Sequence, residues 1–262
     1  MNPLFFGHSK SPLYGVYHKP ESTSNKNEGV LLMPPFGQEY MRSHRALRQL
    51  AMMLAKKGIP VLRFDYRGTG DSAGDLYDAN PKQWVLDAHT AVEELKETAG
   101  VNSVCLVALR MSGVIACEVV KTRRDISTVI LWDTVTSGEN YLNELRHDIA
   151  NHPENAQSNF IDTEGTLHYN GFALSTEFQS QLSEMNLLTQ GPPDDAETIY
   201  LVSAETDQTR QLRSLWDNKH SFTYKHIDTQ GDWNYVDANG SILLPQQIIQ
   251  YIVGRFNFQE AA

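Results

Sequence analysis

The chain has 262 residues, with 22 Lys and Arg against 32 Asp and Glu, a formal net charge of -10, and 40% hydrophobic residues. That is enough for one α/β domain with a decorated loop. The acid excess excludes the basic face that nucleic acid or an anionic membrane surface would require of a partner.

The two cysteines, Cys105 and Cys117, fall in apolar stretches and read as small buried residues rather than a disulfide. Residues 1–8 carry no basic segment followed by an apolar run, and no stretch reaches transmembrane length. A cytoplasmic location without membrane insertion is therefore expected.

Residues 3–18 alternate and are rich in aromatics, which predicts an opening hairpin turning at Ser9 to Pro12. Val30 to Met33 is a short apolar run suited to a strand covered on both faces, and it ends in Pro34-Pro-Phe-Gly37. Leu47, Leu50, Ala51, Leu54 and Ala55 keep helical spacing up to Gly58. A strand follows over Pro60 to Tyr66, then the turn Arg67-Gly-Thr-Gly-Asp-Ser-Ala-Gly74, which lacks the lysine of a phosphate loop. Val85, Ala88, Val92 and Leu95 mark the next helix. Val104 to Ala108 is a buried strand running into a tight turn, with a helix over Ser112 to Lys121 and another strand over Thr128 to Trp132.

Alternating strands and helices at this rhythm predict a doubly wound, mostly parallel sheet. The rhythm breaks at Gly138. Residues 138–193 are mostly polar, with helices over Tyr141 to Ile149 and Thr176 to Leu187, the second opened by Thr176 and Gln179 as a capping box. An insertion of that length reads as a helical cap over a site, between core segments 1–137 and 194–262. Strands over Ile199 to Ala204 and Phe222 to Asp228 bracket a helix near Arg210 to Trp216, and Pro245 opens the last helix.

With these motifs together, the chain resembles the α/β-hydrolases over nearly its whole length. Within them it is similar to the serine aminopeptidase-like hydrolases and their exosortase-associated group. The residues that carry the resemblance are 34–45, Phe64-Asp-Tyr-Arg-Gly-Thr-Gly-Asp-Ser-Ala-Gly74, the turn at 108–112, Leu131-Trp-Asp133 and Tyr169 to Ser175. The resemblance implies a serine nucleophile at a G-x-S-x-G elbow, a histidine, an orienting acid and two backbone oxyanion donors. It also implies a bacterial protein accessory to surface-polymer or acyl-product synthesis.

Matched position by position, the elbow here reads Ala108-Leu-Arg-Met-Ser112, so Arg110 stands where the serine would be. A guanidinium stays protonated and cannot attack a carbonyl. The histidine position falls on Asp232 and the acid position on Asp207, with Asp133 a second candidate. The oxyanion donors would be the N–H groups of Phe36, beside Gly37, and of Met111. If the fold holds, Arg110, Asp207 and Asp232 converge as a compensated charge cluster.

Ser112 is a rival nucleophile two residues on, expected to cap its helix rather than react. His44 could face the site. Ser72 is expected to satisfy backbone groups in its loop. Trp132, Trp233, Phe172 and Phe36 are expected to line an apolar pocket under the cap. No histidine or cysteine pair has metal-ligand spacing, and neither a metal nor a cofactor is expected. The reading is a non-classical or pseudo-hydrolase holding a small acyl or carboxylate ligand. Two alternatives stay open: an active esterase, thioesterase, acyl transferase or lyase with a non-standard constellation, and an interaction protein whose cap docks a partner. No oligomeric state is expected from the sequence.

Overall fold

A computed structural model describes residues 1–22, 27–229, 231–233 and 243–256. Strands β1 (Asn2–Phe6) and β2 (Leu13–His18) form the opening antiparallel hairpin. Then come β3 (Glu28–Met33), α1 (Gly37–Lys56), β4 (Val61–Phe64), α2 (Pro81–Ala99), β5 (Ser103–Leu109), α3 (Ser112–Lys121) and β6 (Ile126–Trp132). The segment between β6 and the next sheet strand holds α4 (Gly138–Asn151), β7 (Phe160–Ile161), β8 (Leu167–Tyr169), β9 (Phe172–Leu174) and α5 (Thr176–Ser183). The chain closes with β10 (Glu197–Val202), α6 (Asp207–Trp216), β11 (Phe222–His226) and α7 (Gln246–Gly254).

The main sheet has the order β1-β2-β4-β3-β5-β6-β10-β11. From β4 to β11 every pairing is parallel, and only the β1 and β2 edge runs antiparallel. This is the doubly wound sheet that the alternation predicts. In β5, Val104, Leu106 and Ala108 join the core on one face with residues of α2 and α3. Cys105, Val107 and Leu109 join the other face with residues of α1 and α7. A strand buried on both sides has no polar face to alternate, which is why its sequence is one continuous apolar run. Among the described residues no helix is long and apolar enough to cross a membrane.

Helix ends follow local chemistry. Asn80 caps α2 by accepting from the Gln83 N–H, Pro81 fills the first helical position, and Gly100 ends the helix with φ 66°. In α5 the cap is Ser175, one residue before the expected Thr176, and its hydroxyl accepts from the Phe178 N–H. Gln179 does not complete a box there. Its amide donates to Gly165 O and Leu174 O, tying α5 to the preceding loop. The three-stranded sheet β7-β8-β9 is an addition to the expected helices of the 138–193 insertion. Its strands are only two or three residues long, too short for alternation to register.

One buried polar contact near the hairpin edge has a measurable consequence. Arg63 donates through Nε to His18 Nε2 at 3.2 Å, and His18 is 2% exposed. Burial, followed by the nearby Arg63 charge, pushes the His18 imidazole down to about 4. The folded protein thus keeps His18 neutral while the unfolded chain protonates it near 6.5. Its contribution is fully present above pH 6.5 and is lost as pH falls through about 4. Urea denaturation at pH 7.5 and pH 4.5 is expected to differ by about 2.5 kcal/mol through this group. A His18→Gln variant with an unchanged slope over that window would refute the assignment.

Candidate functional site

The site begins where β5 turns into α3. Arg110 occupies the turn with φ 56°, a left-handed conformation that costs a non-glycine residue about 1–2 kcal/mol. Surrounding bonds fix it there. The Arg110 N–H donates to Trp132 O at 3.0 Å, and Arg110 O accepts from the Gly113 and Val135 N–H groups and from the Thr134 hydroxyl. Gly113 is required at its position, because a Cβ there would lie 1.7 Å from Thr134 Oγ1.

The Arg110 side chain is 20% exposed and is held from two sides. Nε donates to Glu39 Oε1 at 2.9 Å, and Nη1 donates to Asp133 O at 2.9 Å. Glu39, in the first turn of α1, is 1% exposed. Burial works against the guanidinium charge, but Glu39, Tyr141 and Asp133 together outweigh it and hold the group above its ordinary range. The carboxylate bonded to Arg110 is thus Glu39, and neither Asp207 nor Asp232 takes that place. Glu39 was legible in principle: a buried arginine requires a carboxylate, and α1 begins with one beside the Pro-Pro-Phe-Gly turn.

Asp133, at the end of β6, also has a left-handed backbone, φ 45°. Its carboxylate accepts three hydrogen bonds: the Ser203 N–H at 2.6 Å, the Ser203 hydroxyl at 2.8 Å and the Trp233 indole N–H at 2.9 Å. Burial raises its carboxyl, and those donors oppose the rise. Gly231 sits over the same group. A Cβ there would fall 1.8 Å from Ser203 Oγ.

The other expected residues are placed as follows. Asp207 opens α6 with a fully solvated side chain, 99% exposed, paired with Arg210 at 2.7 Å. Asp232 is exposed and acts electrostatically on the Tyr169 phenol. His44 is exposed on α1 beside the Tyr40 ring, 6.2 Å between centroids. Ser112 is completely buried. It donates to Pro34 O and shares a 3.0 Å bond with the Tyr66 hydroxyl, so it joins the turn after β3 to the elbow instead of capping α3. Ser72 donates to Asp65 O and accepts from the Tyr14 N–H, as expected of a loop residue satisfying backbone. Phe36 and Met111 stand at the N-terminal ends of α1 and α3, and Gly37 follows at φ 61°. No described residue accepts from the N–H of Phe36 or Met111.

A cavity of about 450 Å³ opens over Arg110 and Asp133. Tyr141 and Glu144 of α4 form one wall, and Thr206 to Thr209 at the start of α6 form another. None of the four aromatics expected around an apolar pocket lines this cavity, but Phe36 and Phe172 line a separate small cleft with Tyr141, Leu145 and Leu174. Trp132 and Trp233 are packed edge-to-face in the core, 5.5 Å apart, while Phe36 packs among Trp84, Tyr141 and Phe178. Phe172 covers Gly37 beside a nearly filled cleft. Burying Trp132, Trp233 and Phe36 in well-packed surroundings is more favourable than leaving them around open space, while Phe172 stays half-buried. None of the nine histidines lines the cavity. No cluster of three His, Cys, Asp or Glu groups able to hold a metal occurs among the described residues.

The Arg110–Glu39 pair is testable by stability. Arg110→Met removes the ion-pair partner of the buried Glu39 carboxylate and is expected to cost about 3 kcal/mol. Adding Glu39→Met should restore most of that loss, because an apolar pair of similar volume replaces the ion pair. Strictly additive losses in urea denaturation would contradict the pairing.

The family model described as serine aminopeptidase, S33, matches residues 38–159. No curated protein matches the chain. The α/β hydrolase GrgF from Penicillium sp. sh18 is similar in structure at 16% identity and TM-score 0.66, with 97% of each chain covered. Mouse alpha/beta hydrolase domain-containing protein 10 is similar at 15% and 0.62, covering 97% of this chain and 96% of that one. Proline iminopeptidase from Mycobacterium smegmatis is similar at 11% and 0.64, with 97% of each covered. At these identities the likeness concerns the fold.

Proposed function

We propose that this chain, which has the α/β-hydrolase fold and matches the serine aminopeptidase family model over residues 38–159, binds a small acyl or carboxylate ligand on Arg110 without hydrolysing it by a serine–histidine route. The observation that carries this reading is the setting of Arg110. It stands at the elbow tip, walls an open cavity, and has no histidine among the cavity's lining residues. Glu39 and Asp133 engage Nε and one N–H of Nη1, while no described residue accepts from Nη2. The edge formed by the two terminal nitrogens is the fork that receives a carboxylate bidentately. Glu39 keeps the cation affordable in the empty state, so the site does not depend on ligand to fold.

Two further observations favour the reading over a displaced nucleophile. Ser112 is buried with its hydroxyl hydrogen directed at Pro34 O. Asp133, which could orient a base, is bonded to Ser203 and Trp233. One observation favours an active enzyme, whether esterase, thioesterase, acyl transferase or lyase. The N–H groups of Phe36 and Met111 have no acceptor among the described residues and could serve a developing oxyanion. In both readings residues 138–193 act as a cap, since α4 supplies Tyr141 and Glu144 to the cavity wall.

The test combines chemistry and binding. Wild-type protein incubated with a serine-reactive fluorophosphonate is expected to keep its intact mass. An Arg110→Ser variant is expected to gain no turnover of p-nitrophenyl acetate, because no imidazole lines the cavity to activate the new hydroxyl. Acetate is expected to raise the melting temperature of the wild type and not of Arg110→Met. An adduct mapped to Ser112, or ester turnover by pure wild-type protein, would sink the binding reading and support the enzyme.

A further inference from the structure

The cavity over Arg110 carries a row of polar side chains among its apolar ones. Beside Tyr141, Val135 and Ala204, its lining presents Thr136, Glu144 and Gln208. These three side chains form one chain of hydrogen bonds across elements. Thr136, just after β6, donates its hydroxyl to Gln208 Oε1 at 3.0 Å. Gln208, in the first turn of α6, donates through Nε2 to Glu144 Oε1 of α4 at 2.9 Å.

Each member retains hydrogen-bonding capacity. The Thr136 oxygen can still accept, the Gln208 amide has a second hydrogen to donate, and the Glu144 carboxylate can still accept. Thr134, Thr206 and Thr209 of the wall are already engaged. Thr206 and Thr209 cap α6 reciprocally, and Thr134 bonds Arg110 O and Val135 O. The available groups therefore alternate as acceptor, donor and acceptor. A hydroxyl matches such a row because it both donates and accepts. A methylene chain laid along it would strip water from these groups and return nothing.

The signs of charge order the ligand. Arg110 is the cation at the floor, while Glu144 and Asp207 place negative charge at the wall and rim. A second carboxylate on the same ligand would meet repulsion there.

Resting on the carboxylate-binding reading above, we propose that the ligand is a small polyhydroxylated monocarboxylate, of the sugar-acid or hydroxy-acid class. Its carboxylate lies on Arg110, and its hydroxyls lie on the Thr136–Gln208–Glu144 chain. These three side chains are the specificity determinants that exclude simple acyl chains.

Gluconate and hexanoate test this directly. Both have six carbons and one carboxylate, and they differ in five hydroxyls. Titrated into the full chain by calorimetry, gluconate is expected to bind on the order of tenfold tighter than hexanoate, as a site with polar groups to satisfy discriminates against the analogue lacking hydroxyls. The dicarboxylate galactarate should bind more weakly than gluconate, and neutral sorbitol should not bind. Thr136→Val and Gln208→Met are expected to erase the preference for gluconate, with gluconate binding weakened and hexanoate binding tightened. Melting temperatures of the unliganded variants confirm that both fold.

Hexanoate binding equal to or tighter than gluconate, with both lost in Arg110→Met, would overturn the hydroxy-acid assignment and leave the carboxylate reading standing. Sorbitol binding as well as gluconate, in wild type and Arg110→Met alike, would overturn the role of Arg110 itself. Binding of none of the four would overturn both.

Discussion

A guanidinium at the carboxyl end of a central parallel strand has to be neutralised from within the fold, and the Arg110–Glu39 pair meets that requirement. Charge placed beside a buried strand end is stable only with a partner close enough to offset lost hydration. Here the partner comes from the first turn of α1, so the pair joins the turn after β3 to the turn after β5. Ser112 ties the same two turns one layer deeper through Pro34 O. The crevice at the head of the sheet is therefore fastened by one ion pair and one buried hydroxyl. Both lie between elements separated by more than 70 residues in sequence.

Asp133 fastens the other half of the crevice. Its backbone carbonyl receives Arg110 Nη1, its N–H donates to Leu201 O, and its carboxylate gathers Ser203 and Trp233. The left-handed backbone at both Arg110 and Asp133 is what lets one carbonyl and one guanidinium meet between adjacent strand ends. Such conformations persist where several bonds over-determine them, and both residues have those bonds. Gly231 extends the constraint to the segment after β11, since only a residue without Cβ can lie so close to Ser203.

The sheet was legible because its signals are local. Strands such as β5 read as continuous apolar runs, and helices such as α2 carry their cap, their opening proline and their closing glycine in the sequence. The position of the elbow was legible for the same reason. Glu39 was not assigned, because a carboxylate 71 residues before Arg110 leaves no periodic trace of its contact. Asp207, at the position the family resemblance gives to the acid, lines the Arg110 cavity but pairs with Arg210 one turn along its own helix. The strands β7 to β9 escaped notice because two or three residues cannot display a period. The cap of α5 slipped by one residue because Ser175 and Thr176 are both good caps, and only the backbone decides between them.

The two tryptophans carry the most instructive difference, because Phe36 and Phe172 do line a small cleft while Trp132 and Trp233 are packed into the core. Trp132, Trp233, Phe36 and Phe172 sit at the strand ends and loops around the crevice, where a sequence reading expects them to form a pocket. In the folded chain Trp132 and Trp233 close the core beneath Asp133, while Phe36 fills the space among Trp84, Tyr141 and Phe178. With those rings in the core, the crevice keeps threonine, glutamine and glutamate side chains beside Tyr141, Val135 and Ala204. The same burial that stabilises the domain therefore fixes the chemical character of the cavity. Polarity at this site is a consequence of where the large rings find their best contacts, and the ligand has to answer to it as much as to Arg110.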